Sequence, residues 1–273
     1  MDEYMRDARF MAGFLSGQEN VAIDIGGYRG DFSSALLDTG VISKLHVFEP
    51  NPELFAFLQT RFSGAPVALH SVALSDKAGC FSFSCDQDLA TGSLLPYAEE
   101  YKAVGEIASI PVDVVTLDSW AESNSIGRLD LIKIDTQGND LLVLKGGEKV
   151  IDRFRPIICV EVIFSELYAG QTSLADILGF FSGKGYFLSR MRNIHEDECG
   201  HLAFADLFFC PDEVRTRCAG KYVQIDNGLS LEKQIKTLED ICAERLKVIN
   251  ELDAALKNKT NTEKPKRWWL LGK

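Results

Sequence analysis

The sequence predicts an α/β fold, a mainly parallel sheet with helices on both faces, followed by a C-terminal coiled-coil helix. Three observations predict it. Short apolar runs alternate with helix-period segments through most of the 273 residues, the pattern of strands joined by crossover helices. A glycine turn, Gly26-Gly27-Tyr28-Arg29-Gly30, joins the first apolar run to the first helix. Past residue 228 the apolar residues step by four and three, as in a heptad seam.

The elements follow in order. Residues 4–17 place Met5, Phe10, Met11, Phe14 and Leu15 at helical spacing. Val21–Ile25 is a strand, Asp31–Asp38 a helix stopped by Gly40, and Lys44–Phe48 a strand ending at Glu49. Asn51 caps a helix, with Pro52 at its first position, that runs to Arg61. Val67–Val72 is the third strand, and residues 75–79 form a turn before a short strand, Phe81–Ser84. Residues 85–110 are irregular, and a loop of this length inside a domain is usually functional. Ile110–Val115 is a strand, and Thr116 caps a short helix through Trp120. Leu129–Asp135, a buried strand ending in an acid, leads into one helix over Asp140–Val150. Pro156–Val162 is a strand containing Glu161, Leu174–Gly183 a helix and Tyr186–Ser189 a strand. Segment 190–201 is irregular, and Ala203–Phe209 is the last strand. The layout is Rossmann-like: strand, glycine turn, helix, strand, acid.

Chemistry gathers at the strand ends. Glu49 offers two acceptor oxygens to the cis-diol of a ribose. The turn lacks the GxGxxG spacing of a dinucleotide site, and Asp24 would repel a pyrophosphate. That favours a nucleoside carrying a cationic group, as S-adenosylmethionine does.

Composition excludes other classes. A net charge of −11 argues against nucleic acid as a partner. No apolar run reaches the ~20 residues of a membrane-spanning helix, and the acidic N-terminus is no secretory leader. Seven scattered cysteines suit reduced thiols, hence a cytoplasmic protein.

Four segments together resemble the FkbM family of S-adenosylmethionine-dependent methyltransferases: Asp24–Gly30, Phe48-Glu49-Pro50-Asn51-Pro52, Val72–Asp76 and Leu131–Asp140, the last running into Leu144-Lys145-Gly146-Gly147. The resemblance spans about residues 20–210. It implies O-methyl transfer to a hydroxyl of a sugar or glycan; a small natural product as acceptor, and a non-catalytic scaffold that keeps the fold, are the alternatives. It implies that Asp24 sits near the methionine amino group and that Gly26 and Gly30 allow close backbone approach. Glu49 would hold the ribose, Ser71 and Val72 border the adenine, and Asp135 lie at the mouth of the site. Many relatives carry Glu where this chain has Gln137, and Asp140 is a candidate to supply that charge.

Methyl transfer to a hydroxyl needs alignment and removal of one proton. Asp135, Glu161 and His195 are the candidate bases. A divalent cation held by the two acids is a less favoured reading, and a zinc set of His195, Cys199, His201 and Cys210 less so, because no CxxC pair is present; no metal ligand is assigned. Loop 86–106, with Tyr97 and Tyr101, would close over the site and stack on a sugar.

The expected organisation is a methyltransferase domain over 1–227, a coiled-coil helix over 228–258 and a basic aromatic tail over 259–273. Leu231, Ile235, Leu238, Cys242, Arg245, Ile249, Leu252 and Leu256 form the seam, so residues 231–256 would join homo-oligomers. Lys264-Pro265-Lys266-Arg267-Trp268-Trp269-Leu270-Leu271 combines basic and interfacial residues, which suits peripheral contact with the inner face of a membrane.

Overall fold

The computed structural model describes residues 3–17, 19–86, 91–99, 108–197 and 199–218. The expected coiled coil and the basic tail lie outside them.

The elements run α1 (Glu3–Ala12), β1 (Asn20–Ile25), α2 (Asp31–Leu37), β2 (Ile42–Phe48), α3 (Pro52–Arg61), β3 (Val67–His70), β4 (Ala73–Leu74), β5 (Gly79–Cys85), β6 (Ala108–Val115), α4 (Leu117–Ser123), β7 (Leu131–Ile134), α5 (Asp140–Gly146), α6 (Glu148–Phe154), β8 (Ile157–Ile163), α7 (Leu174–Phe181), β9 (Tyr186–Glu196), β10 (Leu202–Pro211) and α8 (Asp212–Cys218). Seven strands form the main sheet in the order β3-β2-β1-β7-β8-β10-β9. The first five are parallel, and β10 runs antiparallel to both of its neighbours.

Period-2 alternation sorts the side chains onto two faces. One face carries Ala22, Leu45, Val47, Leu131, Cys159 and Phe208 and is covered by α1, α2 and α3 through Met11, Leu36, Leu58 and Phe62. On the other, Trp120 of α4 meets the rings of His46 and Phe48 edge-on, and Phe181 of α7 stacks on Phe209. The expected two-faced α/β architecture is therefore present. The caps read from sequence also hold: Asn51 accepts from the Glu53 and Leu54 amides, and Thr116 from the Ser119 amide.

Five local readings change. Helix α1 ends at Ala12 rather than at residue 17. Strand β3 ends at His70, so Ser71 and Val72 lie beyond it. The helix expected over 140–150 is two, α5 and α6, broken at Gly147. A Cβ at Gly146 would stand 2.1 Å from the Ser75 carbonyl oxygen and one at Gly147 2.6 Å from Leu117. Glycine permits this close packing, and its backbone freedom also weakens the helix. Strands β4 and β5 flank β6 as a second, three-stranded sheet, hidden in the sequence because β4 has two residues. Last, the segment read as irregular after residue 189 continues β9 to Glu196. Its inner face is polar rather than apolar, so alternation gave no strand pattern.

Candidate active site at the carboxyl edge of the sheet

A cavity of about 230 Å³ opens at the carboxyl ends of β1, β2 and β7, its wall including Asp24, Gly26, Glu49, Val72, Lys133 and Asp135. This is the usual ligand position in an open α/β sheet. The second sheet adds Leu74 and Phe83, and Gly92 and Leu94 close the cavity from the 86–106 loop.

Backbone shape fixes the side of the cavity at β1. Gly26 has φ +84°, and a Cβ there would lie 1.9 Å from the Asp135 carbonyl oxygen. Only glycine lets the turn lie across the end of β7. Gly30, also at positive φ, faces Phe62 and Leu58 instead. Its role is to seat α2 against α3, not the expected approach to a ligand. Ser71 is exposed and outside the cavity wall, while Val72 lines it.

The acids follow. Asp24 is buried; its Oδ2 accepts from the Ser33 hydroxyl at 2.6 Å, whereas Oδ1 has no partner among the described residues. Burial raises its pKa, against the opposing pull of Lys133. Glu49 accepts from the Tyr28 amide on Oε2 and the Asn51 amide on Oε1, both at 2.9 Å. Burial pushes this carboxyl up to about 7, although both amides oppose the shift. Each oxygen retains a lone pair. A ligand with an ammonium group and a vicinal diol fits these acids, and S-adenosylmethionine carries both. The orphaned, buried Asp24 oxygen asks for such a donor.

Beside the cavity stands a connected polar cluster. Lys133, buried in β7, donates to Asp135 Oδ2 at 2.9 Å. The Gln137 amide bridges two acids, donating to Asp135 Oδ1 at 3.0 Å and Glu161 Oε2 at 2.9 Å. Burial raises the Asp135 carboxyl, but Lys133 and the bond from Gln137 outweigh it and hold it below the usual range. Burial first, then the Asp135 charge, drives Glu161 well above its ordinary value. Burial and the neighbouring charge thus favour the neutral form of Glu161, while Lys133 favours the ionised form of Asp135, the division expected of two adjacent acids. Lys133 is held protonated by Asp135, Asp24 and Asp206 despite its burial.

Asp135 and Glu161 therefore meet, as read from sequence. His195 does not join them: it lies exposed on β9, stacked on Phe204 with centroids 4.2 Å apart. Asp140 does not replace the charge missing at Gln137. Its oxygens accept from the Thr136 amide and hydroxyl and from the Gly138 amide, so it staples the turn. The zinc set is not assembled either. Cys210 is buried in the core, while Cys199 and His201 are exposed on a hairpin turn whose Asp197 accepts from both their amides. Tyr97 is buried against Tyr168 and bonded to Thr91, so it is not a free stacking ring; Tyr101 lies outside the described residues.

Sequence reasoning assigned no role to Lys133, although a lysine in the otherwise apolar strand Leu131–Ile134 is itself a sign of a buried pair. Tyr4, which lines the cavity from α1, gave no sign at all.

Known proteins bear on this site. The methyltransferase FkbM domain matches residues 24–188. The 2-O-methyltransferase NoeI of Sinorhizobium fredii is 30% identical over 183 residues, 62% of this chain and 74% of NoeI. The hexuronic acid methyltransferase AglP of Haloferax volcanii is 25% identical over 130 residues, 47% of this chain and 48% of AglP. A crystal structure of methyltransferase FkbM from Methylobacillus flagellatus superposes with a TM-score of 0.49 at 16% identity, covering 76% of this chain and 48% of that one. The chain thus spans about half the length of the last two. With the domain matched from Asp24 through β8 and into β9, the chain belongs to the FkbM methyltransferase family.

Proposed function

We propose that the protein is an S-adenosylmethionine-dependent O-methyltransferase acting on a hydroxyl of a sugar or glycan. The observation that carries the reading is the carboxyl pair, Asp135 and Glu161, joined by the Gln137 amide and set beside a cavity whose buried acids suit the methyl donor. O-methyl transfer by NoeI and the hexuronic acid substrate of AglP support it.

Bound in the cavity, S-adenosylmethionine supplies a sulfonium methyl for in-line transfer. Asp24 holds the ammonium end and Glu49 the ribose hydroxyls. Asp135, ionised and fixed by Lys133 and Gln137, accepts the proton that leaves the acceptor hydroxyl. Glu161 stays protonated, so the pair passes from one negative charge to none.

The remaining parts belong to the same proposal: a catalytic domain to residue 227, oligomerisation through 231–256, and a tail over 264–273 that meets the inner face of a membrane from the cytoplasm. Light scattering on the full chain and on a version ending at residue 227 tests the oligomer. Flotation with anionic liposomes tests the tail; equal binding with and without residues 259–273 would sink that part.

The deciding experiment incubates the full chain with methyl-labelled donor and a panel of glycosides and glycans, followed by mass analysis. Labelled methyl ether on a sugar is expected. No donor binding by calorimetry would overturn the reading.

A further inference from the structure

The β9–β10 hairpin carries an aromatic pair that the catalytic reading leaves unused. Phe204 is 36% exposed, and the exposed His195 stacks on it at 4.2 Å and 18° between planes. The register locates this pair. Along β8 and β10, Asp206 lies opposite Glu161 and Phe204 opposite Ile163, with no irregularity. Side chains two apart on a strand share a face and lie roughly 7 Å from one another. The stack therefore stands one step ahead of Glu161, on the face that carries Lys133 and Asp24.

The hairpin is shaped to hold it there. Between the pairs Phe204–His195 and Asp206–Arg192, β9 has one residue more than β10, a bulge at which Asn193 takes φ +47°. Bulges re-aim side chains beside active sites. Here the Asn193 amide donates to both Asp7 and Asp206 at 2.6 Å, and the strand beyond it turns His195 onto Phe204.

We propose that Phe204 and His195 form the platform on which the acceptor lies, and that this acceptor is a neutral pyranose rather than a uronate. The inference rests on the sugar-directed activity proposed above. Flat exposed rings offer an apolar surface to the C–H face of a pyranose. Acids within one sugar width can then receive its hydroxyls. Charge selects the neutral ring: Asp24, Asp135, Glu161 and Asp206 share this face, Lys133 is bonded to Asp135, and Arg192 to Asp7 at 2.6 Å. Lys133 and Arg192 are thus already paired, Arg190 of β9 covers the Phe10 ring, and bringing a sugar carboxylate beside Asp135 is unfavourable. The platform also lies largely beyond the segment shared with the family, which ends at residue 188.

The test uses the full chain with bound donor and two probes, methyl glucopyranoside and methyl glucuronide, followed by His195 imidazole NMR and methyl-transfer kinetics. The expected result is that the glucopyranoside perturbs the His195 signals and binds at least fivefold tighter than the glucuronide. Phe204→Ala should raise its KM about tenfold, Phe204→Trp should keep it near wild type, and donor affinity should be unchanged in both. Transfer by wild type with an unaltered KM in Phe204→Ala, or tighter binding of the glucuronide, would overturn the platform while leaving the enzyme reading intact. If wild type transfers methyl to no glycoside, the reading beneath it fails and the platform with it.

Discussion

The two sides of the sheet's carboxyl edge are built by different means. On the proposed donor side, around β1, β2 and β7, the main chain sets the shape: Gly26 lies against the Asp135 carbonyl, and Glu49 is gripped by two backbone amides. On the proposed acceptor side, around β8, β10 and β9, side chains hold side chains: Gln137 to Asp135 and Glu161, Asn193 to Asp7 and Asp206. A backbone-built site tolerates few sequences and leaves a motif. A side-chain-built site can be rewired one residue at a time, which suits the part that must recognise different acceptors.

If that contrast is right, a change on either side should injure one function and spare the other. The largest effect is expected from Asp135→Asn, which keeps the shape and removes the charge. General-base catalysis contributes roughly 10²–10⁴-fold, so turnover should fall by about that factor while calorimetry finds donor affinity within a few-fold of wild type. Equal loss of both would show that Asp135 serves the donor.

Next comes Glu49→Ala. Two charge-assisted hydrogen bonds are lost, at about 1.5 kcal/mol each, so donor Kd should rise on the order of 100-fold. Glycoside binding followed on the His195 signals should be unchanged.

A smaller, graded effect follows from the same residue. Burial pushes its free carboxyl up to about 7, and hydroxyl donors favour the ionised form. Below pH 7 a proton must leave before the donor binds, so affinity should drop by about tenfold per pH unit there and level off above pH 8. Glu49→Gln should bind more weakly and flatten that part of the profile. A wild-type affinity constant from pH 5.5 to 8 would break the assignment.

The same contrast explains what was legible in the sequence. Asp24, Gly26, Glu49 and Asp135 could be placed on the cavity wall because strand ends, a glycine turn and an acid after each strand are backbone events with local signatures. Gly30 was misread because the same positive φ serves packing against Phe62 as well as ligand approach. Strand β9 was cut short because Arg190, Arg192 and Asn193 turn polar atoms inward, where they bond Asp7 and Asp206 or cover Phe10. Burial satisfied by partners far along the chain gives no apolar alternation to read. The Gln137 bridge likewise depends on Glu161, 24 residues away, and only the fold brings them together.

The smallest effect is expected from Asn193, and it probes how the acceptor side is held. Two accounts of this residue are separable. Either the bulge needs a residue that tolerates positive φ, or it needs the amide that ties Asp7 to Asp206. Asp206 is pushed up to about 6 by burial, with Lys133 and the Asn193 bond opposing, so the amide is one of the few groups that favour its ionised form. Asn193→Gly keeps the backbone freedom and removes the amide. If the hydrogen bonds matter, it should destabilise the fold by about 1–2 kcal/mol, the range for part-buried bonds to charged groups, lowering Tm by roughly 3–6 °C for a domain of this size. If φ is the whole demand, Asn193→Gly should be neutral and Asn193→Ala alone should suffer, through strain at φ +47°. Donor affinity should not move in either variant. A loss of donor binding in Asn193→Gly would mean that the hairpin helps to shape the donor pocket, and the division into two independently built sides would have to be abandoned.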